Sequence, residues 1–208
     1  ENDDTIAWYE NNGAADPTWT AANIATSADG AWSVKAADID GDGDLDIVSA
    51  EYDSDTIAWY ENDGAEYPKF TGNDIATSAD GARDVHVADM DNDGDLDILS
   101  ASENDDTIAW YENNGAADPT FTAANISTSA EGASAVHVAD MDGDGDLDIV
   151  SASPLDDTIA WYENDGAADP TFSAADIATN VSGAHGIHVD DMDADGDMDI
   201  VIASFTDD

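Results

Sequence analysis

Short apolar runs alternate along the chain with clusters of Gly, Asp, Asn and Ser, and one stretch shows the pattern well. Asp84-Val85-His86-Val87-Ala88 alternates polar and apolar positions and predicts a first strand. Leu96-Asp97-Ile98-Leu99-Ser100-Ala101 predicts a second, and Thr107-Ile108-Ala109-Trp110-Tyr111 a third. A fourth lies in Phe121 to Ser127, marked by Phe121 and Ile126. β-branched and aromatic residues dominate these runs, because their side chains pack well on a pleated surface. Asn114-Gly115 and Asp63-Gly64 mark the turn between strands three and four. Glu131-Gly132 and Asp80-Gly81 mark the turn into the next unit. No segment places apolar residues at helical spacing over a useful length.

The pattern recurs. Asp-Thr-Ile-Ala-Trp-Tyr-Glu-Asn starts at Asp4, Asp55, Asp106 and Asp157, in steps of 51 residues. An aspartate-rich run starts at Asp38, Asp89, Asp140 and Asp191, at the same period. Strands two and three are apolar or small on both faces. Ile108 and Trp110 point one way from strand three, Ala109 and Tyr111 the other. A sheet packed on both faces needs that composition. Four-stranded units of about 50 residues stacked around an axis predict an all-β fold, a β-propeller. A solenoid has much shorter coils, and a sandwich does not repeat so evenly. The whole chain, 1–208, reads as one repeat array. A half-blade spans 1–30, full blades span 31–81, 82–132 and 133–183, and a second half-blade spans 184–208. The halves are complementary in strand content. They are expected to form a composite blade, within one chain or between chains as a homo-oligomer, filament or longer parent array.

Between strands one and two stands Asp38-Ile39-Asp40-Gly41-Asp42-Gly43-Asp44-Leu45-Asp46. Carboxylates occupy positions 1, 3, 5, 7 and 9, and glycine occupies position 6 in every copy. Position 7 would offer its backbone carbonyl. Calcium takes six to eight oxygen ligands in irregular geometry, whereas magnesium demands a stricter octahedron. An EF-hand is excluded: its loop needs a bidentate Glu at position 12, where this chain has Ser49, Ser100, Ser151 and Ile202. Strands, not helices, flank the loop. Without a cation the crowded carboxylates repel one another, each close pair costing on the order of 1 kcal/mol in water and more near a protein surface.

Charge narrows the function. Of 208 residues, 50 are acidic and 3 basic, for a net charge of -47. Phosphate backbones and anionic lipid surfaces would repel such a chain, so neither nucleic acid nor membrane is an expected partner. The absence of cysteine excludes disulfides, thiolate metal sites and a cysteine nucleophile. Hydrophobic residues make up 42%, with six Trp and six Tyr, which supports a real core despite the charge. No apolar leader follows Glu1, so any secretion signal is expected to be removed or absent. The acidic excess suits cation-binding loops and salty water.

The aspartate motif, its place between strands one and two, and the Asp-Gly-Asp-Leu-Asp-Ile-Val run resemble FG-GAP/VCBS repeats over the whole chain. These are the calcium-binding propeller blades of integrin α-subunits and many secreted bacterial proteins. The resemblance implies calcium, four ions per chain. It implies ligands at Asp38, Asp40, Asp42, Asp44 and Asp46, and at Asp89, Asp91, Asp93, Asp95 and Asp97. The matching positions in the last two loops are Asp140, Asp142, Asp144, Asp146 and Asp148, then Asp191, Asp193, Asp195, Asp197 and Asp199. It also implies a secreted, extracellular or cell-surface location. Two departures stand: the family usually closes with about seven or eight blades, and the Phe-Gly and Gly-Ala-Pro strings are missing.

Other candidates rank lower. His86, His137 and His188 share one repeat position, where the first copy has Lys35. Three imidazoles facing the axis could hold a transition metal, but the lysine breaks the ring, and a channel-lining or packed role is the better expectation. Trp8, Trp59, Trp110 and Trp161 read as core. Trp32, Tyr52 and Tyr67 do not repeat and fall near turns, where aromatics can stack on sugars. No catalytic constellation stands out, and no long insertion sets one unit apart, so the chain is not expected to be an enzyme. The expected role is a calcium-stabilised structural, adhesive or self-assembling module. The alternatives are a lectin-like module that binds extracellular glycans and an ancillary domain of a polysaccharide-degrading enzyme.

Overall fold

A computed structural model describes residues 4–205 and contains only strands and turns. The first two strands are β1 (Ile6–Asn11) and β2 (Trp19–Ala25). Three four-stranded sheets follow. The first holds β3 (Ala31–Ala37), β4 (Asp46–Glu51), β5 (Thr56–Asn62) and β6 (Phe70–Ala76). The second holds β7 (Ala82–Ala88), β8 (Asp97–Ser102), β9 (Thr107–Asn113) and β10 (Phe121–Ser127). The third holds β11 (Ala135–Ala139), β12 (Asp148–Ser153), β13 (Thr158–Asn164) and β14 (Phe172–Ala178). The last pair is β15 (Ala184–Asp190) and β16 (Asp199–Ser204).

Each full sheet is an antiparallel meander in chain order, with β1–β2 and β15–β16 forming separate two-stranded sheets. Registers repeat: Val48 pairs with Trp59, Leu99 with Trp110 and Val150 with Trp161. Strand three runs further than its apolar residues suggest, to Asn113, because Glu112 and Asn113 pair with Thr122 and Phe121.

The core lies between sheets. Val48, Ile57 and Trp59 of the first full sheet pack with Val85, Ile98 and Tyr111 of the second. Leu99, Ile108 and Trp110 pack in turn with Val136, Ile149 and Tyr162 of the third. The period-2 alternation of strand three is therefore a division between neighbours. Ile108 and Trp110 face the following blade, Ala109 and Tyr111 the preceding one. The strands nearest the next blade are the first of each sheet, β3, β7, β11 and β15. This is a propeller-like array of repeated units.

Candidate metal centre

The loop from Asp38 to Asp46 joins β3 to β4, and its own backbone shapes it. Gly43 donates its N–H to Asp38 Oδ2 at 3.0 Å, and Asp42 donates to Asp40 Oδ1 at 3.1 Å. Asp44 donates to Asp42 Oδ1 at 2.9 Å. Position 6 sits at φ of +98° in Gly43 and Gly94, +102° in Gly145 and +99° in Gly196. Only glycine enters that region without strain, which explains its invariance. Position 4 is also left-handed, in Gly41, Asn92, Gly143 and Ala194. Asn tolerates this conformation, whereas Ala194 carries a penalty of roughly 1–2 kcal/mol.

Position 9 is the buried anchor. Asp46, Asp97 and Asp148 are each 1% exposed. Asp97 Oδ2 accepts from Met90 N–H at 3.0 Å and its Oδ1 from Asn113 N–H at 2.8 Å. Asp46 and Asp148 repeat both bonds. Burial nevertheless dominates and raises all three carboxyls, Asp97 to about 6. The indoles of Trp59, Trp110 and Trp161 pull weakly the other way, although their N–H groups lie outside hydrogen-bond geometry. Asp40 and Asp91 are raised as well, first by burial and then with a contribution from neighbouring carboxylates.

The structure gathers carboxylate oxygens within 4.8 Å of one another in all four loops. The groups are Asp38 with Asp40 and Asp42, Asp89 with Asp91 and Asp97, Asp140 with Asp142 and Asp148, and Asp191 with Asp193 and Asp199. Asp93, Asp144 and Asp195 lie outside these groups; each accepts the N–H two residues on, from Asp95, Asp146 and Asp197, as Asp42 does from Asp44. The position 7 side chains turn elsewhere. Carboxylates of Asp44, Asp95 and Asp146 lie where a Cβ on Gly64, Gly115 or Gly166 would stand, and the left-handed φ of +64° to +68° shared with Gly13 is what calls for glycine in the turn after strand three. Asp38 Oδ1 is buried with no hydrogen-bond partner. An orphaned carboxylate oxygen within an all-oxygen donor set fits a hard cation such as calcium.

One contributor was not singled out from the sequence. Asn113 donates its side-chain amide to the Leu96 carbonyl at 3.0 Å and also to the Ile39 carbonyl, in the loop of the preceding blade, at 3.0 Å. Asn164 does the same with Leu147 and Met90, at 3.0 and 2.9 Å. The signal was present: this Asn closes the Asp-Thr-Ile-Ala-Trp-Tyr-Glu-Asn string in every copy.

The histidines line up along the inner strands. The rings of His86 and His137 are 5.0 Å apart and those of His137 and His188 5.6 Å, all edge-on. Burial, then His137 and Lys35, push His86 down to about 4. Burial and His188 also lower His137. His86 and His137 are therefore neutral at pH 7.

The profile of the FG-GAP-like repeat matches residues 1–49, 38–100, 89–151 and 140–202, spanning the loops and strands just described. The chain belongs to the FG-GAP-like repeat family. No curated protein matches the sequence. Among solved structures, the FG-GAP-like chain resembles a lectin of Agrocybe aegerita, described as recognising non-reducing terminal N-acetylglucosamine. The match has 19% identity and a TM-score of 0.55, and covers 84% of this chain and 47% of the lectin chain. The chain thus spans about half the length of that lectin, and the likeness is one of fold.

Proposed function

We propose that this chain is an extracellular, calcium-stabilised propeller module that binds partners rather than catalysing a reaction. The observation that carries the calcium reading is the orphaned Asp38 oxygen in a loop whose acidic clustering recurs four times. Asp38, Asp40, Asp42 and Asp46 would hold the ion in the first loop, with their equivalents in the others. Its charge would offset the repulsion among them. Calorimetric titration of the metal-free chain with calcium tests this, with four sites expected and fewer than two overturning it.

The module also joins through its half-blades, β15–β16 of one copy meeting β1–β2 of another. Support comes from where apolar surface is exposed. Trp8, Val34 and Leu45 are exposed between β1–β2 and the first full sheet, Tyr9 on β1, and Met192, Met198 and Val201 on or beside β15–β16. An apolar groove of about 360 Å³, lined by residues including Ile6, Trp8, Val34 and Leu45, separates β1–β2 from the first full blade. The β4–β5 register, carried over, would place Val201 beside Trp8 and Ile200 beside Tyr9. Unpaired edges of this kind invite a further strand.

A second reading, glycan binding, is favoured by the lectin neighbour and by Trp32, which is 61% exposed. A glycan array run in calcium-containing buffer tests it.

A further inference from the structure

The four repeats are so alike that their differences carry information. Among the 51 positions, only four hold four different residues, two of them with a fifth copy, Glu1 or Asn2, that repeats Glu103 or Asn104. One is Trp32, Arg83, Ser134 and His185. The next is Ser33, Asp84, Ala135 and Gly186. The other two follow strand two of each blade: Tyr52, Glu103, Pro154 and Phe205, then Asp53, Asn104, Leu155 and Thr206. Drift would scatter such positions. Here they converge on one end of the array. Residues 32 and 33 begin β3, whose other end carries the aspartate loop, and residues 52 and 53 follow β4. Seven strand residues separate this end from the calcium loops by about 20 Å. Tyr67, exposed but different in one copy only, lies at the calcium end, in the turn that follows Asn62.

The variable residues touch. Tyr52 N–H donates to the Gly30 carbonyl and Glu103 N–H to that of Gly81, which seats each turn beside the start of strand one. Within a blade the variable partners match in chemistry. The rings of Trp32 and Tyr52 are 6.1 Å apart, Arg83 pairs with Glu103 at 2.6 Å, and the rings of His185 and Phe205 are 6.4 Å apart. Between blades they link up. The Arg83 guanidinium lies 4.2 Å from the centre of the Trp32 ring and 5.7 Å from that of Tyr52. Tyr52 Oη donates to Asn104 Oδ1 at 3.3 Å.

We infer that this end of the array is a recognition face and that Trp32, Tyr52, Arg83, Glu103 and Asn104 form a subsite for a neutral pyranose sugar. The inference rests on the glycan-binding reading and assigns it a place. Arg83 holds Trp32 by a cation–π contact on one side, while 61% of the residue stays exposed. A rigid, exposed indole offers the flat apolar surface that the C–H face of a pyranose needs. Around it stand a guanidinium with five N–H groups, a carboxylate, an amide and a phenol, which can fix hydroxyl orientation. Glu103 neutralises Arg83, and the net charge of -47 opposes anionic ligands, so a neutral sugar is favoured over a sulfated or uronic one. The other blades carry Ser134 with Pro154 and His185 with Phe205 and lack this combination, so the described residues hold one such subsite.

The test titrates the calcium-loaded chain with the methyl glycosides of N-acetylglucosamine, glucose, galactose and mannose, read by tryptophan fluorescence and saturation-transfer NMR. The variants are Trp32→Ser and Arg83→Ser, which install the residue the third blade already carries. At least one glycoside should bind saturably, and each variant should weaken it tenfold or more while leaving calcium-dependent melting unchanged. Equal binding by the wild type and both variants would overturn the subsite and leave the glycan reading standing. Failure of all four glycosides to bind the wild type would overturn both. Misfolding of Trp32→Ser would show in the melting curve, and Arg83→Ser then decides.

Discussion

Asn113 in the second full blade donates its side-chain amide to the Ile39 carbonyl of the first, 3.0 Å away. Ile39 lies between Asp38 and Asp40, so the acceptor belongs to the aspartate loop. One amide group thus ties the neighbouring blade to the loop that gathers carboxylates, so an ion bound there would order the joint between blades as well as the loop.

Asn113→Ala is expected to destabilise the chain by about 1–3 kcal/mol, because it leaves two carbonyls without their donor in a buried place. Asn62→Ala should cost less. Its side chain is bonded to Leu45 within its own blade and is more exposed. Denaturant melts of the two variants in saturating calcium make the comparison. Equal losses would mean the bridge to Ile39 contributes nothing.

Calcium should bind at four sites with affinities around 10⁻⁴ to 10⁻³ M, in the range of extracellular modules. Four ions would take the net charge from -47 to -47 + 8 = -39. Asp91→Ala should remove one site. Asp95→Ala should leave four, since the Asp95 carboxylate lies against Gly115 rather than in the cluster. Loss of a site in Asp95→Ala would show that the side chain reaches the ion after all. A chelator should lower the melting temperature, because binding free energy appears as stability.

Acid should weaken the fold through His86. Its unfolded value is 6.5 and its folded value about 4. Between these the unfolded state takes up a proton that the native state refuses, so stability falls as pH drops from 6.5 to 4 and levels off below. The loss is on the order of 3 kcal/mol. Asp97 acts in the opposite direction when no cation is bound. Raised to about 6, it protonates earlier in the native state, which gains relative stability as pH falls through 6 toward 4. The difference in stability between wild type and His86→Leu isolates the histidine. A difference that does not change between pH 7 and 4 would exclude it.

Joining between half-blades predicts a mass in calcium that grows with concentration, measured by light scattering. Val201→Lys, which puts a charge at an exposed position on the unpaired face of β15–β16, should return the mass to that of one chain. A single-chain mass at every concentration in the wild type would refute joining. If joined, Asn62 would meet the Met192 carbonyl and Asn11 the Met198 carbonyl, by analogy with the Asn113 bonds to Ile39 and Leu96.

Strand positions and the repeat were legible because side-chain alternation is a local property. Ile108 and Trp110 on one face, Ala109 and Tyr111 on the other, follow from period 2 alone. The clustering of positions 1 and 3 was legible from carboxylate spacing. The direction of Asp95 was not, because it depends on a turn glycine twenty residues away, Gly115. Nor was the left-handed backbone at position 4, since Gly41, Asn92, Gly143 and Ala194 have no common side chain. The Asn113 bridge spans 74 residues, beyond what any local pattern records.

The junction between the first and second full blades is built like that between the second and third: a Trp facing forward, a Tyr facing back, an Asn reaching into the previous loop. A deletion or duplication of one 51-residue unit by unequal recombination would therefore create no new kind of buried contact. Array length could then change in whole 51-residue steps while every junction keeps the same kinds of contact. What each step would alter is the order of residues such as Trp32, Arg83, Ser134 and His185 along one rim.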